Sequence, residues 1–335
     1  MPHPETHGGA PRPPEPFRPA WWLRNAHAQT LWGSLCRRAP HPVLRRQRLE
    51  LLDGDFLDLD WGDAANPEQP LVLMLHGLEG SARSPYVRAL ARHLEGIGMQ
   101  ALIVHFRGCS GVPNRLMRSY HSGETGDLDL LMRWLRRRWP RRAIGVVGYS
   151  LGGNVLLKWL GEHGSAARVD AAVAVSVPMD LAVCADRMQR GLSRVYRWRL
   201  VRSLKAKVLR KFRDRSGPLD LARVRRARGF REFDDAVTAP LHGFTSAEDY
   251  YRRSSSRAWL SGIRRPTLIL HAADDPFMTP AVLPPAGDTL PAALTLELSA
   301  QGGHVGFVAS RGPLGLVPSY WLEARIGAFL RQHLA

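Results

Sequence analysis

The sequence contains few cysteines and no long apolar run, and each of these two shortages excludes a class of protein. Its three cysteines, Cys36, Cys109 and Cys184, provide neither a disulfide framework nor metal-binding spacing, so we expect a reducing compartment and a cytoplasmic protein. No apolar run approaches the roughly 18 residues of a membrane-spanning helix, although residues 169–179 form one of the longest. Residues 1–19 are rich in Pro, Gly and His without an apolar core, which predicts a flexible tail instead of a signal peptide.

The charge is strongly one-sided and concentrated in one segment. The chain has 47 basic and 30 acidic residues, a net charge of +17, and only four of the basic residues are lysines. Residues 187–231 contain 17 basic residues against Asp214 and Asp220 alone. Such a segment is either a set of solvated helix faces or a surface attracted to phosphates. Because no helix-turn-helix, zinc-finger or RNA-recognition motif accompanies it, we expect weak contact of residues 187–231 with an anionic membrane surface and no specific nucleic acid.

The pattern of apolar segments predicts an α/β domain. A length of 335 residues and 44% hydrophobic content allow one large core. A hairpin is predicted around Asp53 and Gly54. Strands that alternate with helices predict a mostly parallel sheet with helices on both faces. The predicted strands are 47–52, 55–61, 71–75, 99–104, 143–147, 169–175, 267–270 and 293–298, and the predicted helices are 84–96, 127–139, 150–163 and 319–334.

The segment from about 178 to 262 interrupts this alternation. It lacks convincing strands and is dense in arginine and in helical patterns. We therefore predict that residues 20–335 form a single domain, with a basic helical cap inserted at about 178–262. The cap should lie over the carboxyl edge of the sheet, where open α/β sheets bind ligands.

A nucleophile is predicted at Ser150. The sequence GYSLG at 148–152 matches G-x-S-x-G and lies between a predicted strand and a predicted helix, the context that the nucleophile elbow of the α/β-hydrolase fold requires. The helix N-terminus supplies a positive field and free N–H groups for a developing oxyanion. The related sequence GCSG at 108–111 lacks the second glycine spacing and is interpreted as a loop.

An acid and a base complete a catalytic triad. In this fold the chain order is serine, acid, histidine. Asp274 and Asp275 both follow the strand at 267–270, and we favour Asp275, with Asp274 as the alternative. His304 lies beyond the last strand with glycines on both sides, which let its loop approach the nucleophile.

An oxyanion hole is predicted from two backbone N–H groups. HGLEGS at 76–81 follows the strand at 71–75, and the fold pairs an N–H from that loop with the N–H after the nucleophile. We assign these to Leu78 and Leu151. No second ligand lies at zinc-binding spacing from His76. We therefore expect His76 to make a structural hydrogen bond and predict no metal.

From about Phe17 to its end, the sequence resembles the YheT-like family of α/β-hydrolase-fold esterases, the embryogenesis-associated and abhydrolase-domain group. The matching motifs are NAHAQT (25–30), HGLEGS (76–81), HFRGCSG (105–111), YHSGET (120–125), GYSLGG (148–153), REFDD (231–235), DDPF (274–277) and GHVGF (303–307). The resemblance implies ester hydrolysis by a triad of Ser150, Asp275 and His304, on substrates that range from simple esters to glycerolipids.

The sequence therefore predicts a serine carboxylesterase that acts on a small-molecule ester, with a lipid ester or acylglycerol as a candidate, and without a cofactor. Two alternatives stay open at this point. A thioesterase or acyltransferase would use the same triad, and a basic surface-binding protein could retain vestigial hydrolase activity. The acyl-chain length and the oligomeric state are not determined by the sequence.

Overall fold

A computed structural model describes residues 15–37, 41–285 and 287–334. Residues 1–14 of the predicted flexible tail lie outside the described residues. Residues 15–19 are described, and two of them contact the domain. The ring of Phe17 lies 5.1 Å from that of Phe307 and 5.6 Å from that of Trp321, and the Trp321 indole N–H donates a hydrogen bond to the Glu15 carbonyl. This apolar contact holds the segment against the domain.

The described chain forms a large mixed sheet with the order β1-β2-β4-β3-β5-β6-β7-β8. Its strands are β1 (Leu44–Glu50), β2 (Phe56–Gly62), β3 (Leu71–Leu75), β4 (Gln100–Val104), β5 (Ile144–Tyr149), β6 (Ala171–Val175), β7 (Thr267–Ala272) and β8 (Leu294–Ser299). The strands from β3 to β8 pair in parallel. The predicted hairpin is confirmed, because β1 pairs antiparallel with β2 and the register places Glu50 opposite Phe56.

Helices cover both faces of the sheet, as the sequence predicts. They are α1 (Ala26–Leu35), α2 (Pro85–Gly96), α3 (Gly126–Arg138), α4 (Leu151–His163), α5 (Leu181–Arg187), α6 (Ser193–Lys211), α7 (Leu221–Arg226), α8 (Phe230–Phe233), α9 (Ala239–His242), α10 (Ala247–Ser254) and α11 (Trp321–Leu334). Side chains of α3 and α4 pack on one face of the sheet, and side chains of α2 and α11 pack on the other. The inner strands β3, β4 and β6 are buried throughout, which explains their nearly continuous apolar sequences.

The segment between β6 and β7 contains helices α5 to α10 and no strand, in a stretch where every residue is described. We call residues 178–262 the cap. Part of it has a small core of its own, in which Val201, Val208 and Phe212 of α6 pack with Val224 and Phe233. This part of the cap therefore packs around a core separate from the two cores on the sheet, whereas Met179 and Leu260, near the two ends of the cap, pack into one of them.

The end of the chain differs from the prediction. Residues Val308–Arg311 (β9) and Val317–Tyr320 (β10) form an antiparallel hairpin, so the last helix begins at Trp321 and not at Ser319. The proline at 318 lies in this short edge ladder, a position that tolerates the missing N–H. Among the described residues, no helix combines the length and the apolarity that a bilayer span requires.

Candidate active site

Ser150 lies on a sharp turn between β5 and α4. Its φ of 50° and ψ of −118° are strained for a residue with a side chain. The turn needs glycine on both sides. A Cβ on Gly148 would lie 2.5 Å from the Gly152 carbonyl oxygen, and a Cβ on Gly152 would lie 2.5 Å from the Leu75 carbonyl oxygen. The close approach of these backbones explains the G-x-S-x-G sequence.

The structure brings His304 and Asp275 to Ser150. The Nε2 atom of His304 lies 3.0 Å from the Ser150 Oγ atom, and its Nδ1 atom lies 2.7 Å from Oδ2 of Asp275. Asp275 is buried, and its other oxygen accepts a hydrogen bond of 2.8 Å from the Phe277 N–H. The three groups follow β5, β7 and β8, whose carboxyl ends meet at one edge of the sheet. They form an unbroken chain of hydrogen-bonding distances from hydroxyl to imidazole to carboxylate.

The loop that carries His304 is held by three side chains, of which Thr30 and Ser176 are not predicted from the sequence as site residues. The His304 N–H donates to Thr30 Oγ1 at 2.9 Å, and the Val305 N–H donates to Ser176 Oγ at 3.0 Å. Asp274, the alternative acid, accepts from the Gly303 N–H at 2.9 Å. Asp274 therefore supports the loop, whereas Asp275 contacts the imidazole.

Helix α1 explains the NAHAQT motif. Asn25 caps the helix by accepting from the N–H groups of His27 and Ala28. The buried amide of Gln29 donates to the Leu23 and Val308 carbonyls and accepts from the Val308 N–H. The helix thus joins the N-terminal segment to the loop that carries the imidazole. Only the resemblance marked Gln29 in the sequence, because its partner Val308 lies 279 positions away.

The loop after β3 lies beside the nucleophile. A Cβ on Gly77 would lie 3.3 Å from the Ser150 Cβ. The N–H of Gly77 donates to the Tyr86 hydroxyl, and the N–H of Glu79 donates to the Tyr120 hydroxyl. Within the described residues, the intervening Leu78 N–H has no acceptor. It is therefore free to bind an oxyanion, as is the Leu151 N–H in the first turn of α4.

His76 has a structural position, as its sequence context suggests. It is fully buried, its Nδ1 atom lies 2.8 Å from the Gly77 carbonyl oxygen, and its Nε2 atom accepts from the Phe106 N–H at 3.3 Å. Burial lowers the pKa of His76 to about 3, so this imidazole is neutral. It fixes the peptide bond that precedes Leu78.

Helix α6 of the cap contacts two of the loops that form the site. Ser193 Oγ donates to the Pro276 carbonyl, and the ring of Tyr196 lies 5.0 Å from that of Phe277. Phe277 in turn stacks on the His304 imidazole, with ring centroids 4.0 Å apart. About two and three helix turns further on, the Ser203 hydroxyl and the Lys207 ammonium donate to the carboxylate of Glu79, the latter at 2.8 Å.

A cavity of about 440 Å³ lies between the sheet edge and the cap, and Ser150 is part of its wall. This is an ordinary volume for a small-molecule site. Most of the cap side chains that line it are apolar, and they include Met188, Leu204, Val208, Phe212, Phe230 and Phe233. Polar groups are fewer, among them Lys207 and Lys211 on α6. Burial lowers the pKa of Lys211 to about 8.

One cluster near the cavity has the residue types of a metal site, but positively charged side chains surround it. His121, Glu124 and His242 have side-chain nitrogen and oxygen atoms within 4.8 Å of one another. Glu124, however, is already paired with the Arg118 guanidinium. Burial, and then nearby Arg118, Lys211 and Arg107, lower the pKa of His242 to about 4. These positive charges would also oppose a bound cation, so we assign no metal to the cluster.

The five residues predicted for the site all lie at the same edge of the sheet. His304 lies within hydrogen-bonding distance of both Ser150 and Asp275. Leu78 and Leu151 belong to the two backbone segments beside the nucleophile. The rival serine, Ser110, lies elsewhere, with its carbonyl bonded to Arg46 of β1. The arrangement can support attack by a serine hydroxyl on a carbonyl carbon.

Comparison with known proteins gives concordant matches. The family model of the alpha/beta hydrolase fold matches residues 70–309. The chain is 45% identical to the putative esterase YheT of Escherichia coli over 324 residues, which are 95% of this chain and 94% of the relative. It is 28% identical to the phospholipase ABHD3 of Mus musculus, over 89% of this chain and 75% of that protein. The structure of the Pyrococcus furiosus esterase Pf2001 aligns with a TM-score of 0.57 and 17% identity, covering 88% of this chain and 92% of that one.

Proposed function

The chain belongs to the α/β-hydrolase fold family and, within it, to the group of the putative esterase YheT, and from this premise we propose that it is a serine hydrolase that cleaves carboxylic esters through an acyl-enzyme on Ser150. The observation that carries the proposal is the chain of two short contacts, 3.0 Å from Ser150 Oγ to His304 and 2.7 Å from His304 to Asp275. A serine hydroxyl needs both partners to act as a nucleophile near neutral pH.

Each step of the proposed reaction uses a group at this edge of the sheet. His304 Nε2 takes the proton from the Ser150 hydroxyl as the oxygen attacks the ester carbonyl, and Asp275 stabilises the resulting imidazolium. The N–H groups of Leu78 and Leu151 bind the oxyanion. The imidazolium then protonates the departing alcohol. A water molecule, deprotonated by the same imidazole, attacks the acyl-enzyme and releases the carboxylic acid.

The cavity favours an ester with an apolar acyl chain. Its cap side is lined by Leu204, Val208, Phe212 and Phe233, and burial of methylene groups against such side chains is favourable by about 0.8 kcal/mol for each group. One relative is named a phospholipase, and a lipid substrate agrees with this apolar lining. We therefore propose a lipid ester or acylglycerol as the substrate class and expect no cofactor.

The test is covalent labelling together with hydrolysis. Wild-type protein should react with a fluorophosphonate probe and hydrolyse p-nitrophenyl esters, with kcat/KM rising as the acyl chain lengthens. Ser150→Ala should lose labelling and at least about 10³-fold in kcat. Ser110→Ala, which changes the serine of the rival GCSG sequence, is the matched control and should keep both. Wild-type turnover by Ser150→Ala would disprove the assignment.

The same assay separates the ester hydrolase from the alternatives that use the same triad. An acyl-CoA series measures thioester hydrolysis, and an added alcohol acceptor reveals acyl transfer as a new ester product. We expect esters to be the preferred substrates and water the preferred acceptor. Faster turnover of acyl-CoA than of the matching ester would make the protein a thioesterase.

A further inference from the structure

The solvent-facing side of α6 exposes large apolar side chains in the most basic part of the chain. Leu192, immediately before the helix, and Val195 and Trp198 within it are 64%, 60% and 58% exposed. Their spacing of three residues places them on one side of the helix. Together they form an exposed apolar patch on one side of the helix, a feature typical of an interaction surface.

Arginines surround these apolar side chains. Arg199 and Arg202 are exposed and lie one turn after Val195 and Trp198 on the same side of the helix. The Arg202 guanidinium lies over the Trp198 ring, 5.3 Å from its centroid. The wider segment, residues 187–231, carries 17 basic residues and two acidic ones. The partner that suits this side must therefore offer both an apolar phase and negative charge.

We propose that the outward side of α6, formed by Leu192, Val195, Trp198, Arg199 and Arg202, docks the protein on the surface of a lipid bilayer that contains anionic headgroups. The apolar side chains enter the boundary between headgroups and acyl chains, and the arginines bind phosphates while their aliphatic stems cover apolar surface. Tryptophan is the side chain most typical of that boundary.

Charge and apolarity together favour a bilayer over other occupants. A second copy of the chain would bring another strongly basic segment against this one, and the two would repel each other. A nucleic acid would neutralise the arginines but would leave Leu192 and Val195 without an apolar environment. An anionic bilayer satisfies both groups of side chains.

The docking side is connected to the cavity by the helix itself. The opposite side of α6 presents Leu200, Leu204 and Lys207 to the cavity, so a docked protein would hold the cavity close to the membrane. Insofar as it concerns catalysis, this consequence rests on the proposed function. Membrane binding itself does not, because none of the five docking residues lines the cavity.

The experiment is flotation of the full chain with two kinds of vesicle, one of phosphatidylcholine and one with roughly one third phosphatidylglycerol. We expect binding to the second kind, weakened by salt because the attraction is electrostatic. The double variant Val195→Ser with Trp198→Ser should bind at least about tenfold more weakly. Arg199→Gln with Arg202→Gln should weaken binding and reduce its salt dependence.

Controls separate docking from folding and from catalysis. Leu52, 97% exposed in the β1–β2 turn, is an apolar surface residue outside the basic segment, and Leu52→Ser should bind as wild type does. The docking variants should keep wild-type hydrolysis of a water-soluble ester. Ser150→Ala should float normally, so failure of the proposed activity leaves the flotation result intact.

Several outcomes would overturn the proposal. The first is that the wild type does not bind anionic vesicles, the second is that Leu52→Ser loses as much vesicle binding as the docking variants do, and the third is that the Val195 and Trp198 double variant binds as strongly as the wild type. A gel shift at physiological salt that depends on Trp198 while flotation fails would make the partner a nucleic acid. Self-association that depends on Trp198 would make it a second copy of the chain.

Discussion

Replacing Asp275 by asparagine should abolish most of the activity by reversing the tautomer of His304. The carboxylate has two acceptor oxygens and uses both, one for the Phe277 N–H at 2.8 Å and one for the imidazole Nδ1 at 2.7 Å. A carboxamide has only one acceptor oxygen. Because the Phe277 N–H can only donate, the amide oxygen must face it, and the amide NH₂ group then faces His304.

That orientation forces His304 Nδ1 to accept a hydrogen bond, so the ring proton moves to Nε2. The N–H at Nε2 then points at Ser150 Oγ, 3.0 Å away, and cannot take its proton. The loss expected for this tautomer error is about 10⁴-fold in kcat, or about 5 kcal/mol of transition-state stabilisation. Because the two side chains have nearly the same shape, folding should be little affected.

The assay is kcat for a chromogenic ester, measured for Asp275→Asn beside Asp274→Asn. Asp274 accepts from the Gly303 N–H of the His304 loop, and an amide oxygen can still accept that bond. We expect Asp274→Asn to stay within about tenfold of wild type, since it acts only on loop position. The reasoning is refuted if Asp275→Asn keeps near wild-type turnover, or if Asp274→Asn loses as much.

Two further predictions concern stability. Gly152→Ala should lower the free energy of unfolding by at least about 2 kcal/mol in urea denaturation, because the new Cβ would lie 2.5 Å from the Leu75 carbonyl oxygen. Gly96→Ala is the control, and its free energy of unfolding should change little because the new Cβ would lie in open space. Burial raises the pKa of Asp234 in the cap from 3.8 to about 7. The folded state therefore holds the proton of the Asp234 carboxyl more tightly than the unfolded chain does. The contribution of this protonated carboxyl to stability is lost as pH rises from about 4 to about 7. Relative to Asp234→Asn, the wild type should therefore lose stability across that interval, by up to about 1.4 kcal/mol per pH unit; urea titrations of both proteins at several pH values would contradict this if the difference stayed constant.

The sheet and the position of the nucleophile could be predicted because their signals are local. A buried parallel strand such as β3 reads as a continuous apolar run, and the glycines around Ser150 follow from contacts within a few residues and with the adjacent strand. The β9–β10 hairpin was missed because its strands have only four residues each. A run that short carries little periodicity.

The supports of the site could not be predicted because they join distant parts of the chain. Thr30 and Ser176 hold the His304 loop across 274 and 129 positions respectively, and neither has a local pattern that indicates its partner. Ser176 has a φ of 50°, which is strained for a serine and is maintained only where the surrounding structure holds the residue in place. This strain is visible in the folded structure but not in the sequence. The choice between Asp274 and Asp275 likewise depends on which carboxylate the folded loop turns toward the imidazole.

Because α6 bonds to the Glu79 carboxylate and packs on Phe277, the cap is not a module that can be exchanged freely. Grafting a relative's cap to alter chain-length preference would also replace the hydroxyl of Ser203 and the ring of Tyr196. That would disturb the loop at 76–81 and the packing of Phe277 on His304. A successful chimera must retain those two side chains while varying only the apolar wall.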